Sequence, residues 1–502
     1  MQDALSESLD TALESLSLQP RIFDHELLPP EVWVVVIEHC TRASQRACLS
    51  LSRAFHRRAL PLLFREIVVS FGAWESWVAE EQLDTTADIR HLQQLDEARS
   101  SRAYDILRRI TLDPSFAGAI RSLEIEAYMR DGSRGVTEKC CLNEAIQHLP
   151  NLESFFWNGC TPSPSLEMLD ALAESCPRLQ DLALPILSYV TLPFWKLRGL
   201  RWIAFNWTIE DILDPLLDEY EDAKLDEDTF PDMRELHFFF TSPATVRSLG
   251  SYLNRITHLN LLFIRDLENL DDLLRNLPYV ESLTLQTLRE NQEGQLLAAF
   301  EHGPFNFPRL TQLKICGEEN EDPLLLAGVT ALADVARGIP SLQCFDCSFC
   351  VESADLEVLS PAILSLKHLT VLGLHVGHLT AEKDTVRNVL RQMPAQLDAL
   401  ALTVSGGQLN EYELAELWTR CQHLRYLYLC AWSEVAVTVQ DLAREGKALE
   451  LVGLKNAFHD VERTGDEVKL SEKWSDRKVE FRGTDDFGCS EWEWLMREKI
   501  IW

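Results

Sequence analysis

The chain has 502 residues, an apolar fraction of 46% and a net charge of −32, from 79 Asp and Glu against 47 Lys and Arg. That much apolar material supports a large core and excludes disorder throughout, while the acidic balance would repel nucleic acid and anionic membranes and suits a basic partner. Thirteen Cys, an odd number over a long chain, fit free thiols in the reducing cytoplasm or nucleus rather than a disulfide framework.

Residues 1–7 lack the basic stretch and long apolar core of a secretory signal. Apolar runs such as residues 32–37 are too short to span a bilayer. Residues 1–23, rich in Ser and acid, read as a disordered tail. At Leu28-Pro29-Pro30-Glu31 a helix opens, with Pro where its missing N–H costs nothing. Residues 32–37 continue it, residues 43–52 predict a second helix, and Leu60-Pro61-Leu62-Leu63-Phe64-Arg65 ends the unit.

That opening, the middle stretch Leu49-Ser50-Leu51-Ser52-Arg53-Ala54-Phe55 and the closing Leu62-Leu63-Phe64-Arg65 resemble an F-box, in wording closest to the fungal type. Cys40 stands where Leu is usual, and Thr41-Arg42-Ala43-Ser44 replaces a Pro-Asp-like step. The resemblance implies a small all-α F-box over residues 24–67 that docks the acidic Skp-type adaptor of an SCF-type cullin–RING ubiquitin ligase. It assigns adaptor binding to Leu28, Pro29, Glu31, Val32, Ile37, Leu49, Leu51, Ser52, Arg53, Phe55 and Leu63. Independently, residues 40–65 hold six Arg (42, 46, 53, 57, 58 and 65) and no acid, a positive island suited to an acidic partner.

Trp74, Trp77 and the helical pattern of residues 84–109 predict a packed helical connector over 68–118, with few Gly or Pro. One spacing then recurs: an apolar residue followed by others three and five positions later. It appears as Ile120-Leu123-Ile125, Leu152-Phe155-Trp157, Leu179-Leu182-Leu184, Leu200-Ile203-Phe205 and Met233-Leu236-Phe238. It continues as Leu259-Leu262-Ile264, Val280-Leu283-Leu285, Leu310-Leu313-Ile315 and Leu342-Phe345-Cys347. Leu369-Leu372-Leu374, Leu397-Leu400-Leu402, Leu424-Leu427-Leu429 and Leu449-Val452-Leu454 complete thirteen copies that start 21 to 33 residues apart. The last two members of each triplet share one face of a short strand. Pro150, Pro177, Pro231, Pro278, Pro308 and Pro340 each precede a triplet by two positions, where Pro stops a helix and tolerates a strand start. Helical patterns such as residues 165–173 lie between. The arrangement resembles the leucine-rich-repeat horseshoe, an α/β solenoid with strands inside and helices outside, expected over residues 119–456.

A repeat array needs capped ends, and residues 457–502, with Trp474, Trp492, Trp494 and Trp502, are expected to close the C-terminal one. Residues 210–228, with ten acidic residues and only Lys224 opposing them, and residues 318–322 read as solvated loops or docking sites for a basic segment.

Cys344, Cys347 and Cys350 have a spacing that can hold zinc or an iron–sulfur cluster. Yet Cys347 falls on an inward triplet position, and Cys350, like Cys160, where leucine-rich repeats place Asn or Cys to bond the turn backbone; Cys344 falls on a non-core position. Asp486-Phe487-Gly488 has no kinase loops beside it, and neither Gly-x-Ser-x-Gly nor His-Glu-x-x-His occurs. A non-catalytic chain without metal or cofactor is expected.

The function expected is that of a substrate receptor, the F-box holding the adaptor and the repeats an unknown protein target. The alternatives are a non-degradative adaptor-bound scaffold and, third, a metal or redox protein using the Cys cluster. Target binding is expected on the concave face, at Phe156, Trp202, His237, Phe239, Phe263, Tyr426 and Tyr428, unless a loop or the tail bearing Trp492 and Trp494 covers them.

Overall fold

The computed structural model describes residues 29–40, 42–78, 86–129, 135–185, 196–197, 199–206, 232–239, 243–247, 250–264, 267–287, 293–301, 307–317, 326–352, 355–377, 390–405, 411–431, 436–465, 467–497 and 499. The expected tail, Leu28, the acidic stretches 210–228 and 318–322 and Trp502 lie outside the described residues, as do the side chains of Trp77, Cys160 and Phe239.

Among the described residues three helices come first: α1 (Pro30–Glu38), α2 (Arg42–Leu51) and α3 (Arg53–Leu63). A mixed α/β array follows, on an open sheet of 16 strands in sequence order. Its strands are β1 (Glu66–Gly72), β2 (Ser122–Tyr128), β3 (Ser154–Thr161), β4 (Asp181–Pro185), β5 (Trp202–Asn206) and β6 (Glu235–Phe239). Next are β7 (His258–Ile264), β8 (Ser282–Thr287), β9 (Gln312–Cys316), β10 (Cys344–Glu352) and β11 (Val371–Gly377). The last are β12 (Ala399–Val404), β13 (Tyr426–Ala431), β14 (Leu451–Leu454), β15 (Ala457–Thr464) and β16 (Glu467–Leu470). Strands β1 to β14 pair in parallel; β15 and β16 turn back antiparallel, and the sheet does not close into a barrel. No helix among the described residues is long and apolar enough to cross a membrane.

Alternation along each strand makes two cores. In β2, Leu123 and Ile125 point into the layer between sheet and helices, with Leu372 and Leu374 of β11 and Leu427 and Leu429 of β13 in the same cluster. Each such side chain, fully buried, contributes on the order of 1.5–3 kcal/mol. The residues between them face the opposite, concave side. The prolines do more than stop helices. Pro150, Pro177, Pro308 and Pro340 each follow the acceptor of a turn, whose closing bonds are Leu152 N to Leu149 O, Leu179 N to Cys176 O, Leu310 N to Phe307 O and Leu342 N to Ile339 O. Proline presets the backbone for that second turn position, so each repeat enters its strand at a fixed angle. Helix starts are set by side-chain caps: Ser165 accepts from Met168 N, and Thr438 and Asp441 form a capping box.

Two expectations are corrected. The connector is not wholly helical, because residues 66–72 form β1, in register with β2 from Glu66 opposite Ser122 to Gly72 opposite Tyr128. Phe64, Ile67 and Val69 already carry the triplet spacing, so the array begins before residue 119. The connector's other described residues are mainly helical, with α4 (Trp74–Val78) and the long α5 (Thr86–Leu112). The second correction concerns β7, where Leu259 and Leu261 align with Leu236 and Phe238 of β6. Its triplet is therefore Ile256-Leu259-Leu261, not Leu259-Leu262-Ile264. Residues 259–264 hold apolar residues in both parities, with Asn260 the exception, so the triplet spacing alone admits either register; the paired neighbours decide it.

Candidate functional site

Two surfaces were expected to carry function. The first is the three-helix unit. Ile37, Ala59 and Leu63 form its small core, and Trp33 meets Phe55 edge-on at 5.1 Å. Gln45 closes the end of α1 by donating to the carbonyls of Ile37 and Cys40 at 3.0 and 3.1 Å, and Ser52 caps α3 through Phe55 N. Ile37 and Leu63 are thus corrected: they hold the unit together and are not available to a partner. Pro29, Glu31, Val32, Leu51, Ser52 and Arg53 are exposed, and Leu49 and Phe55 half-buried. Exposed Val35 (51%) and Val36 (42%) join Val32 on α1, with Leu51 at 65%. Both valines went unnoticed in the sequence, because an apolar helix turn does not say which residues remain outside. Only Phe64 and Arg65 separate α3 from β1; Phe64 packs on Phe116 at 5.0 Å, and Arg109 stacks on both rings.

The second surface is the concave face. Phe156, Trp202 and His237 meet there: Phe156 lies edge-on to Trp202 at 5.5 Å, and Trp202 Nε1 donates to His237 Nε2 at 3.1 Å. Ala183 and Ala204 stand between Phe156 and His237 in register and leave room for both rings. The indole N–H can only donate, so Nε2 of the imidazole accepts, and the Asn260 side-chain nitrogen lies 2.7 Å from Nδ1. Burial holds the His237 pKa well below its ordinary value. Phe156 and Trp202 are half-buried, His237 buried. Phe263 is a correction: in the true register Asn260 and Leu262 face the concave side, and Phe263 sits at a β-bulge with φ of 52°.

Tyr426 and Tyr428 do face the concave side, but they are corrected too, for both are fully buried. After β16 the chain crosses that side through α6 (Asp476–Glu480), α7 (Thr484–Phe487) and α8 (Ser490–Met496). Trp492 stacks on Tyr426 at 5.2 Å, while Tyr428, Phe458 and Trp474 stack in series at 5.4 and 5.3 Å. These aromatics, with Val371, Ala399, Ala401, Leu495 and Met496, make the second core. Further along, Arg477 pairs with Glu126 of β2, and Phe481 packs against Trp74 and Tyr128. The expected cap is therefore double: β15 and β16 cover the open edge of β14, and residues 474–499 lie across the concave face.

A buried charge cluster fastens this segment. Lys314 of β9 donates to the carbonyls of Trp494, Leu495 and Arg497 at 2.7, 3.3 and 2.8 Å. Asp346 of β10 lies 3.7 Å from Lys314 and 3.1 Å from Lys499. The lone Lys and Asp inside apolar strands were the available sequence signals.

No protein-family model matches the chain, and no curated protein matches it. Among solved structures, an LRR protein of Leptospira interrogans is similar over 62% of this chain and 80% of that one, at 14% identity and a TM-score of 0.28. The strand register described above carries the repeat assignment on its own.

The cysteines fall into structural places. Cys347 lies in the inner core and Cys344 in the concave-side core, on opposite faces of β10. Cys344 is thus corrected from a non-core to a buried position; burial pushes its thiol up to about 12. Cys350 is buried beyond the bulge, where a Cβ on Gly377 would come within 2.2 Å of its Sγ. Among the described residues no group of three or more His, Cys, Asp or Glu is arranged to hold a metal ion.

Proposed function

We propose that this chain is a substrate receptor of an SCF-type cullin–RING ubiquitin ligase, in which residues 29–65 dock an acidic Skp-type adaptor and the repeat array holds a protein target. The observation that carries the reading is the exposed apolar row Val32, Val35 and Val36 of α1 with Leu51 of α2, beside an arginine-rich, acid-free stretch in a chain of −32. Contiguous exposed apolar residues favour association, and the arginines favour an acidic partner and steer its approach. The direct passage from α3 into β1 would hold adaptor and target at a fixed separation, which is what proximity catalysis by other subunits needs. The part of the concave face left for a target is the Phe156–Trp202 neighbourhood. The second reading is an adaptor-bound scaffold that does not lead to degradation; coverage of Tyr426 and Tyr428 narrows the surface open to a target under either one.

Affinity purification with and without cullin and proteasome inhibition tests both. Val35→Glu with Leu51→Glu should abolish adaptor capture while leaving thermal stability unchanged. Capture that survives this pair of substitutions overturns the docking assignment; bound proteins whose abundance ignores the inhibitors favour the scaffold.

A further inference from the structure

A cavity of about 250 Å³ opens where β1, α5 and the C-terminal segment meet, lined by Val68, Ser70, Arg99, Arg102, Ala103, Ile106 and Arg477. In a strongly acidic chain, Arg99, Arg102 and Arg477 line it, and no Asp or Glu among the described residues does. Two of the three are engaged on their far sides. Arg99 forms a bidentate pair with Glu75, both bonds at 2.6 Å, and Arg477 pairs with Glu126, whose other oxygen accepts from Ser70. Two donors are left over. Nη1 of Arg477 is buried without a hydrogen-bond partner among the described residues. Arg102 is exposed and has no ion-pair partner among the described residues. Glu75 and Glu124 also attract Arg477, but the Glu124 carboxyl has its pKa raised by burial and by Glu126, which weakens its claim.

We infer that this cavity binds the phosphate group of a small organic phosphomonoester. A guanidinium is a planar fork that matches phosphate oxygens, and Arg102 and Arg477 approach from different elements, so an acceptor with several oxygens can serve both at once. A planar carboxylate offers two oxygens and satisfies one fork. Opposite the arginines, Val68, Ala103 and Ile106 supply an apolar wall for the organic part of the ligand. Bound there, the ligand bridges α5 to the C-terminal segment and adds a tie across the concave face. This inference is independent of the receptor reading, and either can fail without the other.

Calorimetric titration of the full chain with phenyl phosphate, inorganic phosphate and benzoate tests it. Phenyl phosphate should bind saturably and more tightly than either comparison anion, and slow hydrogen exchange in residues 474–481. Arg102→Gln, which removes no described contact, should weaken binding about tenfold or more without changing the unliganded Tm, and Arg102→Lys should recover part of it. Absence of saturable binding at millimolar phenyl phosphate, equal binding of benzoate, or affinity unchanged in Arg102→Gln overturns the assignment. So does a phosphoserine peptide that binds tenfold more tightly than phenyl phosphate, because the group would then belong to a protein side chain.

Discussion

Lys314 donates its ammonium to the carbonyl oxygen of Trp494 at 2.7 Å, joining two residues 180 positions apart. The lysine acts as a cap for the last helix: it supplies donors, and a positive charge, to carbonyls that have no helical partner. Asp346 neutralises the lysine inside the protein.

Removing one partner from such a buried pair strands the other charge, at a typical cost of about 3–5 kcal/mol. Lys314→Ala should therefore destabilise the C-terminal segment by roughly 3 kcal/mol, less where Lys499 still meets Asp346. Hydrogen exchange and limited proteolysis of residues 484–497 measure it. Protection equal to wild type would show that stacking alone holds the segment.

Acid should loosen the same face. His375 Nε2 lies 2.7 Å from Ser405 Oγ, and burial lowers the histidine's pKa to about 4. Below the unfolded pKa of about 6.5 the unfolded chain takes up a proton that the folded chain refuses. Stability from this group is whole above about 6.5, falls as pH drops towards about 4, and falls no further below that. The full window corresponds to about 3 kcal/mol at most, with His237 acting in the same direction. Denaturant midpoints between pH 7 and 4 should show it, and His375→Asn should flatten the dependence.

Gly453 sits where two aromatics of the second core converge: a Cβ there would fall 2.7 Å from the rings of both Phe458 and Tyr428. Gly453→Ala should cost about 1–3 kcal/mol through overpacking, read as a lowered Tm with reduced near-ultraviolet aromatic dichroism. An unchanged spectrum and Tm would show that the stack can shift at no cost.

Cys344→Ser and Cys347→Ser should destabilise alike, each by roughly 1–3 kcal/mol, because both bury a hydroxyl in apolar surroundings. Chemical denaturation of the two variants decides it. A neutral Cys344→Ser would mean that residues 474–499 do not cover β10 in solution.

The repeat array was legible in the sequence because strand geometry allows only one side-chain period: Leu123 and Ile125, or Leu427 and Leu429, must share a face wherever the strand is built. The turn prolines and helix caps were legible for the same local reason. β1 is harder to read in the sequence although Phe64, Ile67 and Val69 carry the spacing, since the long helix α5 sets it apart from the next copy. Spacing could not choose the register of β7, where a triplet fits in either parity and only pairing with β6 and β8 decides. The concave face was beyond the sequence in a different way. Tyr426 and Tyr428 have the same chemistry whether exposed for a partner or stacked under Trp492 and Phe458, and what covers them is residues far along the chain. Lys314 and Asp346 likewise become a buried pair only because the C-terminal segment folds back and removes water from both. Local periodicity determined the strands; the path of the last residues across them was decided by tertiary packing.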